Sequence, residues 1–196
     1  MDIFRIEGPV RLAGHVDVNG SKNASLPIMA AALLAPGNST LLGVPRLADI
    51  SVFKDLIEQL GCKVERRDDG VLTIDATKID NPIGPYDIVR KMRASVCILG
   101  PLLARCGRVE VSMPGGCAIG DRPIDLHLTG MRQLGAQIHL KNGYVIAEAP
   151  QGLKGASIFL GGPFGSTVLG TANVLMAATL AKGRTIIESA ACEPEI

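Results

Sequence analysis

The residues best suited to do chemistry are concentrated in one stretch, Ser112 to His127, which reads Ser-Met-Pro-Gly-Gly-Cys-Ala-Ile-Gly-Asp-Arg-Pro-Ile-Asp-Leu-His. It carries one thiol, Cys117, with Arg122 five residues further on. Positive charge near a thiol favours the thiolate, which is the nucleophilic form. Gly115, Gly116 and Gly120 allow the backbone to approach a ligand closely. The loop taken alone is equally compatible with a surface turn that carries an incidental cysteine. Asp121 and Asp125 flank Arg122 and have the spacing to hold it in place rather than to act as acids or bases. His127 falls on the following helix, where capping or packing is its expected role, and His15 and His139 alternate with strand residues and read as surface.

The other thiols do not form a site of their own. The five cysteines (Cys62, Cys97, Cys106, Cys117, Cys192) are scattered, with no CxxC pair, and the three histidines do not cluster with them. A disulfide framework or zinc site is therefore not expected, no metal or cofactor is implied, and a reducing cytoplasm is the expected location. Cys97 and Cys106 flank a helix and read as packing, while Cys62 and Cys192 sit beside turns. Net charge is +1 with both signs interspersed, which gives no global case for nucleic acid or an anionic membrane. Aromatic residues make up 3% with no Trp, too few for base-stacking platforms. Met1-Asp2 begins no signal peptide, and apolar runs such as Ile28 to Ala35 are too short to span a bilayer.

The elements that must position these residues follow from periodicity. Phe4 to Asn19 alternates as two short strands punctuated by Gly8-Pro9 and Gly14. Ser21 is a suitable N-cap for a helix from Ala24 to about Ala35, with Pro27 in its first turn. Pro36-Gly37 ends it, and Ser39 to Val44 reads as a strand. Ile50 to Leu60 is a second helix closed by Gly61, followed by strands Lys63 to Arg66 and Val71 to Asp75 around Asp68-Asp69-Gly70.

The pattern then returns. Gln59-Leu60-Gly61 reappears as Gln133-Leu134-Gly135, and the hairpin glycine Gly70 as Gly143. A helix end closed by glycine occurs three times, at Gly37, Gly107 and Gly183, each followed by a strand: Ser39 to Val44, Arg108 to Met113, Thr185 to Ser189. Two signatures in one order predict an internal repeat. The third copy reaches Glu193-Pro194-Glu195-Ile196, read as the start of a second helix, without its closing helix and hairpin. An unfinished unit should leave apolar surface exposed, so a longer protein is expected. In this register Lys22-Asn23, Met92-Arg93 and Leu169-Gly170 open equivalent helices. If the three units share an axis, their N-termini converge into an anion site to which Lys22, Arg93 and Arg122 add charge. A polyanionic ligand, phosphates with a carboxylate, is the expected occupant.

These same residues carry a family resemblance. Gly20-Ser21-Lys22-Asn23-Ala24, Lys91-Met92-Arg93-Ala94-Ser95 and Pro114-Gly115-Gly116-Cys117-Ala118-Ile119-Gly120-Asp121-Arg122-Pro123-Ile124-Asp125-Leu126-His127 resemble the UDP-N-acetylglucosamine 1-carboxyvinyltransferases, enolpyruvyl transferases of bacterial peptidoglycan synthesis. The resemblance runs from about Phe4 to Ile196. It implies an α/β fold, an inside-out α/β barrel of repeated βαβαββ units with the third incomplete here. It also implies that residues 1–20 are strands of a second domain, that 21–196 form most of the first, and that the rest of the second is absent. The substrates implied are phosphoenolpyruvate and UDP-N-acetylglucosamine, with no cofactor. By the same resemblance Cys117 is the proton donor and covalent-adduct site, and the thiol alkylated by fosfomycin. Lys22 and Asn23 map to the phosphoenolpyruvate site. Arg93, Arg122, Pro123, Ile124, Asp125 and Leu126 map to UDP-sugar contacts, with Arg122 also near the reacting phosphate.

One segment departs from that pattern. Gly161 to Thr171 is several residues longer than expected, so either Gly165 or Gly170 could be the equivalent glycine. The repeat register favours Gly170, which assigns Ser166, Thr167, Val168, Leu169 and Gly170 to the UDP contacts. The sister shikimate-pathway synthase shares the fold but lacks the cysteine loop; a non-catalytic sugar-nucleotide-binding paralogue is the rival of a different class.

Overall fold

A computed structural model of the chain describes residues 3–114, 123–163 and 165–196. In chain order the elements are α1 (Lys22–Ala31) with a 3-10 turn (Ala32–Leu34), β1 (Asn38–Leu41), α2 (Ala48–Gln59), β2 (Lys63–Arg66), β3 (Leu72–Asp75), β4 (Ile83–Gly84) and α3 (Tyr86–Val89). A 3-10 helix (Arg93–Ile98) runs into α4 (Leu99–Cys106), followed by β5 (Arg108–Ser112), α5 (Asp125–Gln133), β6 (Gln137–Lys141) and β7 (Tyr144–Glu148). The last elements are β8 (Ser157–Phe159), β9 (Gly161–Gly162), β10 (Gly165–Ser166), α6 (Val168–Thr179) and β11 (Ile186–Glu188).

The helices meet at the centre and the sheets flank them. α6 is buried on nearly every side, through Gly170, Thr171, Ala172, Asn173, Val174, Met176 and Ala177, as expected for a helix without a polar stripe. Around it pack α1, α4, α5 and the 3-10 helix Arg93–Ile98. Two of these contacts depend on glycine. A Cβ on Gly100 of α4 would lie 2.1 Å from the Asn173 carbonyl oxygen, and one on Gly130 of α5 would lie 2.3 Å from Val174 Cγ2.

The sheets turn one face inward. Leu72 and Ile74 of β3 and Val145 and Ala147 of β7 are buried while their strand neighbours are not, the alternation of a sheet with one covered face; in β5 Val109 and Val111 are buried together with Ser112. One sheet runs β1-β3-β2, antiparallel throughout. Another runs β4-β5-β7-β6, with β4 and β5 parallel and the other pairs antiparallel. β8 and β11 pair in parallel. Among the described residues these sheets stay separate, and no closed barrel forms.

Several expectations need correction. The segment 3–20 forms no strand, and Phe4, Ile6, Leu12, Val16 and Val18 are almost fully exposed. A strand requires a hydrogen-bonding neighbour, and none of the described strands lies beside these residues. Residues 193–196 form a turn closed by the Ile196 N–H donating to the Glu193 carbonyl at 2.9 Å, not a helical start. The first helix starts at Lys22 and tightens to 3-10 geometry after Ala31. Cys106 is exposed rather than packed.

Arg105 ties the first helical layer to the first sheet. Its Nη1 donates to the Leu33 and Ala35 carbonyls at 2.9 and 3.2 Å, and its Nη2 to those of Ala76 and Thr77 at 2.6 and 3.2 Å. The guanidinium thus satisfies acceptors at the end of α1 and beyond β3, where a cation complements helix C-terminal carbonyls. We expect Arg105→Met to lower unfolding free energy by about 2 kcal/mol in urea titration, as for charged hydrogen bonds lost at part-buried sites. Deleting residues 1–18, by contrast, should shift the melting temperature of this chain by less than about 2 °C, since the side chains of residues 3–18 are exposed.

Candidate functional site

The helix openings are built alike where local chemistry permits. Ser21 caps α1 by accepting from the Ala24 N–H at 3.2 Å, and Thr167 caps α6 by accepting from the Gly170 N–H at 3.2 Å. Four residues after each cap a hydroxyl donates back to the cap carbonyl: Ser25 to Ser21 and Thr171 to Thr167, both at 2.7 Å. The middle opening differs. Met92 at its N-cap position offers no side-chain acceptor, and the turn from Arg93 winds as a 3-10 helix. There the Ser95 N–H bonds the Met92 carbonyl at 3.2 Å, and the buried Ser95 hydroxyl finds no partner. The tighter winding takes the i−4 carbonyl out of line.

The sequence-predicted site residues sit at these openings. Lys22 and Asn23 begin α1 and are exposed. Lys22 Nζ is held by Asp49 Oδ2 of α2 at 2.7 Å, with the two side chains 43% and 36% exposed. An exposed pair of this kind contributes about 1 kcal/mol or less, so an incoming anion can take the lysine cheaply. Arg93 begins the 3-10 helix and is half-buried. Pro123 is exposed, Ile124 is buried at the N-cap of α5, Asp125 is its first residue and Leu126 is half-buried. Leu126 leans on the β9–β10 hairpin, its Cδ1 3.3 Å from the Cβ position of Gly162. In that hairpin Gly165 lies opposite Gly162 and Ser166 opposite Gly161. Thr167 is the N-cap, Val168 and Leu169 form the first turn half-buried, and Gly170 is buried. Cys117 and Arg122 lie outside the described residues.

Two of the other thiols are poor nucleophiles. Burial pushes Cys97 up to about 12 and, against the lowering charge of Arg105, Cys62 up to about 11. Both stay protonated and inert at neutral pH. A separate shallow cleft of about 420 Å³ lies at the opening of α2, lined by Arg46, Leu47, Ser51, Arg66, Arg67 and Asp68. Its guanidiniums are already engaged, Arg46 by Asp68 at 2.5 Å, Arg66 by the Val44 carbonyl at 3.2 Å and Arg67 by Asp69 at 2.6 Å.

Periodicity missed the residues that join the openings. Asn173, fully buried in α6, accepts from the Gly100 N–H at 2.6 Å and donates to the Val96 carbonyl at 2.9 Å. Its amide nitrogen also lies 3.0 Å from His127 Nδ1. His127 is 4% exposed, so it packs as expected, but within a polar network. Burial first, and then the charge of Arg93, lower its pKa from 6.5 to about 4, with Asp125 opposing. That coupling places Arg93, Asp125 and His127 within electrostatic reach of one another. The one available sequence signal was a lone carboxamide in an apolar helix. Asp49 gave none, because its pairing with Lys22 is long-range.

Comparison with known proteins gives consistent findings. The profile described as EPSP synthase (3-phosphoshikimate 1-carboxyvinyltransferase) matches residues 6–196. Curated relatives named UDP-N-acetylglucosamine 1-carboxyvinyltransferase are 56% identical in Trichlorobacter lovleyi and 53% identical in Methylacidiphilum infernorum, over all 196 residues. The chain spans 46% of the length of each. The solved enolpyruvyl transferase NikO from Streptomyces tendae superposes with a TM-score of 0.80 at 21% identity, over 94% of this chain and 42% of that one. EPSP synthase from Acinetobacter baumannii gives 0.70 at 20% identity, over 93% and 42%. At those identities the two structures show the shared fold.

The buried imidazole sets a pH dependence. In the unfolded chain His127 takes up a proton as pH falls through about 6.5, while the folded chain resists until about 4. The unfolded state therefore binds more protons in that window, and stability falls as pH drops through it. We expect thermal denaturation between pH 7 and pH 4.5 to show a loss approaching about 3 kcal/mol attributable to this group. His127→Asn, which keeps an acceptor for Asn173 and cannot titrate, should flatten that component relative to wild type.

Proposed function

The chain belongs to the EPSP synthase (3-phosphoshikimate 1-carboxyvinyltransferase) family, and from that premise we propose that it is part of an enzyme transferring enolpyruvyl from phosphoenolpyruvate to the 3′-hydroxyl of UDP-N-acetylglucosamine. The observation that carries this reading is the 50–56% identity, over the entire chain, to relatives bearing the name of that reaction. The family profile bears the sister reaction's name, but solved EPSP synthase is only 20% identical, which favours the UDP-sugar reading.

The reaction is addition followed by elimination. The sugar hydroxyl gives up its proton to a base as its oxygen bonds to the middle carbon of phosphoenolpyruvate, and the methylene carbon takes a proton to become a methyl. Loss of a methyl proton together with phosphate then forms the enol ether. Cys117 is assigned as the acid for the first step and as the site of covalent adducts, since a thiol's pKa can be tuned toward neutrality and sulfur is a good nucleophile. Lys22 and Asn23 at the start of α1 hold phosphoenolpyruvate. Arg93, Arg122 and Pro123 to Leu126, with Ser166 to Gly170, hold the UDP-sugar. Helix-start N–H groups and the cations provide positive potential for three phosphoryl groups and a carboxylate.

The fold reading extends this. We infer an inside-out barrel of repeated βαβαββ units: the antiparallel order β1-β3-β2 matches β5-β7-β6, and the parallel pair β8–β11 matches β4–β5. Gly37, Gly107 and Gly183 support it, each lying between a helix and the following strand with positive φ, at 110°, 73° and 99°. Residues 1–20, whose apolar side chains from Ile3 to Val18 are exposed, are assigned to a second domain contributed by further chain. On this reading the substrates are phosphoenolpyruvate and UDP-N-acetylglucosamine, the setting is the cytoplasm, and no helix among the described residues is long and apolar enough to cross a membrane.

Residues 1–196 alone should bind weakly and release no phosphate from the two substrates; turnover by this chain would overturn the half-enzyme reading. In a full-length protein containing the chain, fosfomycin with UDP-sugar should add one adduct, located on Cys117 by mass spectrometry. An unlabelled Cys117 would favour a non-catalytic sugar-nucleotide-binding protein.

A further inference from the structure

Asn173 is buried at the crossing of α6 with three other elements, and its side chain touches each. Its two backbone partners fix its orientation. A backbone N–H can only donate, so the atom 2.6 Å from Gly100 N is the carboxamide oxygen. A carbonyl can only accept, so the atom 2.9 Å from Val96 O is the nitrogen. The second N–H of that nitrogen is left for His127 Nδ1 at 3.0 Å. A donor facing Nδ1 requires Nδ1 to accept, so the neutral ring carries its proton on Nε2. Two independent backbone contacts thereby determine the tautomer of a histidine on another helix.

We propose that Asn173 is a positioning residue: its carboxamide fixes the neutral Nε2–H tautomer of His127 and holds the opening turns at Arg93, Asp125 and Val168 in one frame for the sugar nucleotide. The geometry supports this from three directions. Val96 belongs to the 3-10 helix that starts at Arg93, and His127 to the first turn of α5, two residues after Asp125. Asn173 itself lies in the second turn of α6 above Thr167. Gly100 admits α6 so closely that any side chain there would strike the Asn173 backbone. Among the described residues the ionisable groups acting on the ring are Arg93 from the 3-10 helix and Asp125 from its own helix; α6 carries none. Lys22 and Asn23, on α1, are not joined to this network by any bond described above. The proposal rests on the UDP-sugar reading for its kinetic consequence, but not for its tautomer.

The test is N173D in the full-length protein, with nitrogen chemical shifts of the imidazole and steady-state kinetics. Wild type should show Nδ1 unprotonated and Nε2 protonated at pH 7. The variant carboxylate still accepts from Gly100 but offers His127 an acceptor, so Nδ1 should become protonated. The KM for UDP-N-acetylglucosamine should then rise about tenfold or more and become pH-dependent above pH 6, as expected for misplaced binding groups. The KM for phosphoenolpyruvate should move less than about threefold. Nδ1 protonated in wild type would overturn the tautomer assignment. A switched tautomer with an unchanged, pH-flat KM for UDP-N-acetylglucosamine, or equal rises for both substrates, would overturn the positioning role. Wild type lacking turnover would refute the UDP-sugar reading instead. In that event the shifts of the Arg93, Leu126 and Leu169 amides decide the inference: moving together in N173D supports it, and remaining fixed overturns it.

Discussion

One buried carboxamide sets the terms for the centre of this molecule. α6 lies among α1, α4, α5 and the 3-10 helix, with glycines at two of the crossings. At such close approach, a polar group without partners would cost about 1–3 kcal/mol. Asn173 avoids that cost by bonding Gly100, Val96 and His127 together. Satisfied completely, a network of this kind specifies one arrangement of the helices, whereas an apolar contact would tolerate several. The openings of the 3-10 helix, α5 and α6 are therefore linked through a group that bonds none of the residues assigned to the ligands.

Electrostatics follows from the same arrangement. Bringing helix starts and cations together concentrates positive potential, and a protonated histidine among them would add to the repulsion. His127 is kept neutral by burial and by Arg93, while Asp125 pulls the other way. Lys22 is neutralised differently, at the surface, by Asp49. The first arrangement is built into the core and the second can be exchanged for a ligand, which suits a site that must be both preorganised and able to admit anions.

The sequence made much of the architecture legible through local signals. The strands at Lys63–Arg66 and the cap at Ser21 appear where alternation and hydroxyl chemistry put them, because both depend on residues within four positions. The same logic failed at residues 3–20, whose alternation is that of strands but whose partners are not among the described strands. It failed again at Arg93, where α-helical spacing hides a 3-10 turn whose N-cap position, Met92, supplies no side-chain cap. The candidate site was legible as a set of residue types at helix openings. Its supporting residues Asp49 and Asn173 were not, since an exposed aspartate and a single amide are common in any chain.

By itself the sequence determined the run of elements from α1 to β3, the turns at glycines with positive φ such as Gly61, Gly70 and Gly143, and the location of the cationic and thiol residues. Each of these depends on sterics or hydrogen bonding within a few residues. Only the tertiary structure decided which atoms satisfy Arg105, Lys22 and Asn173. Asn173 lies 73, 77 and 46 positions from its partners Gly100, Val96 and His127. Such partnerships form when packing excludes water and every buried donor must find an acceptor, a condition that no local run of residues can express.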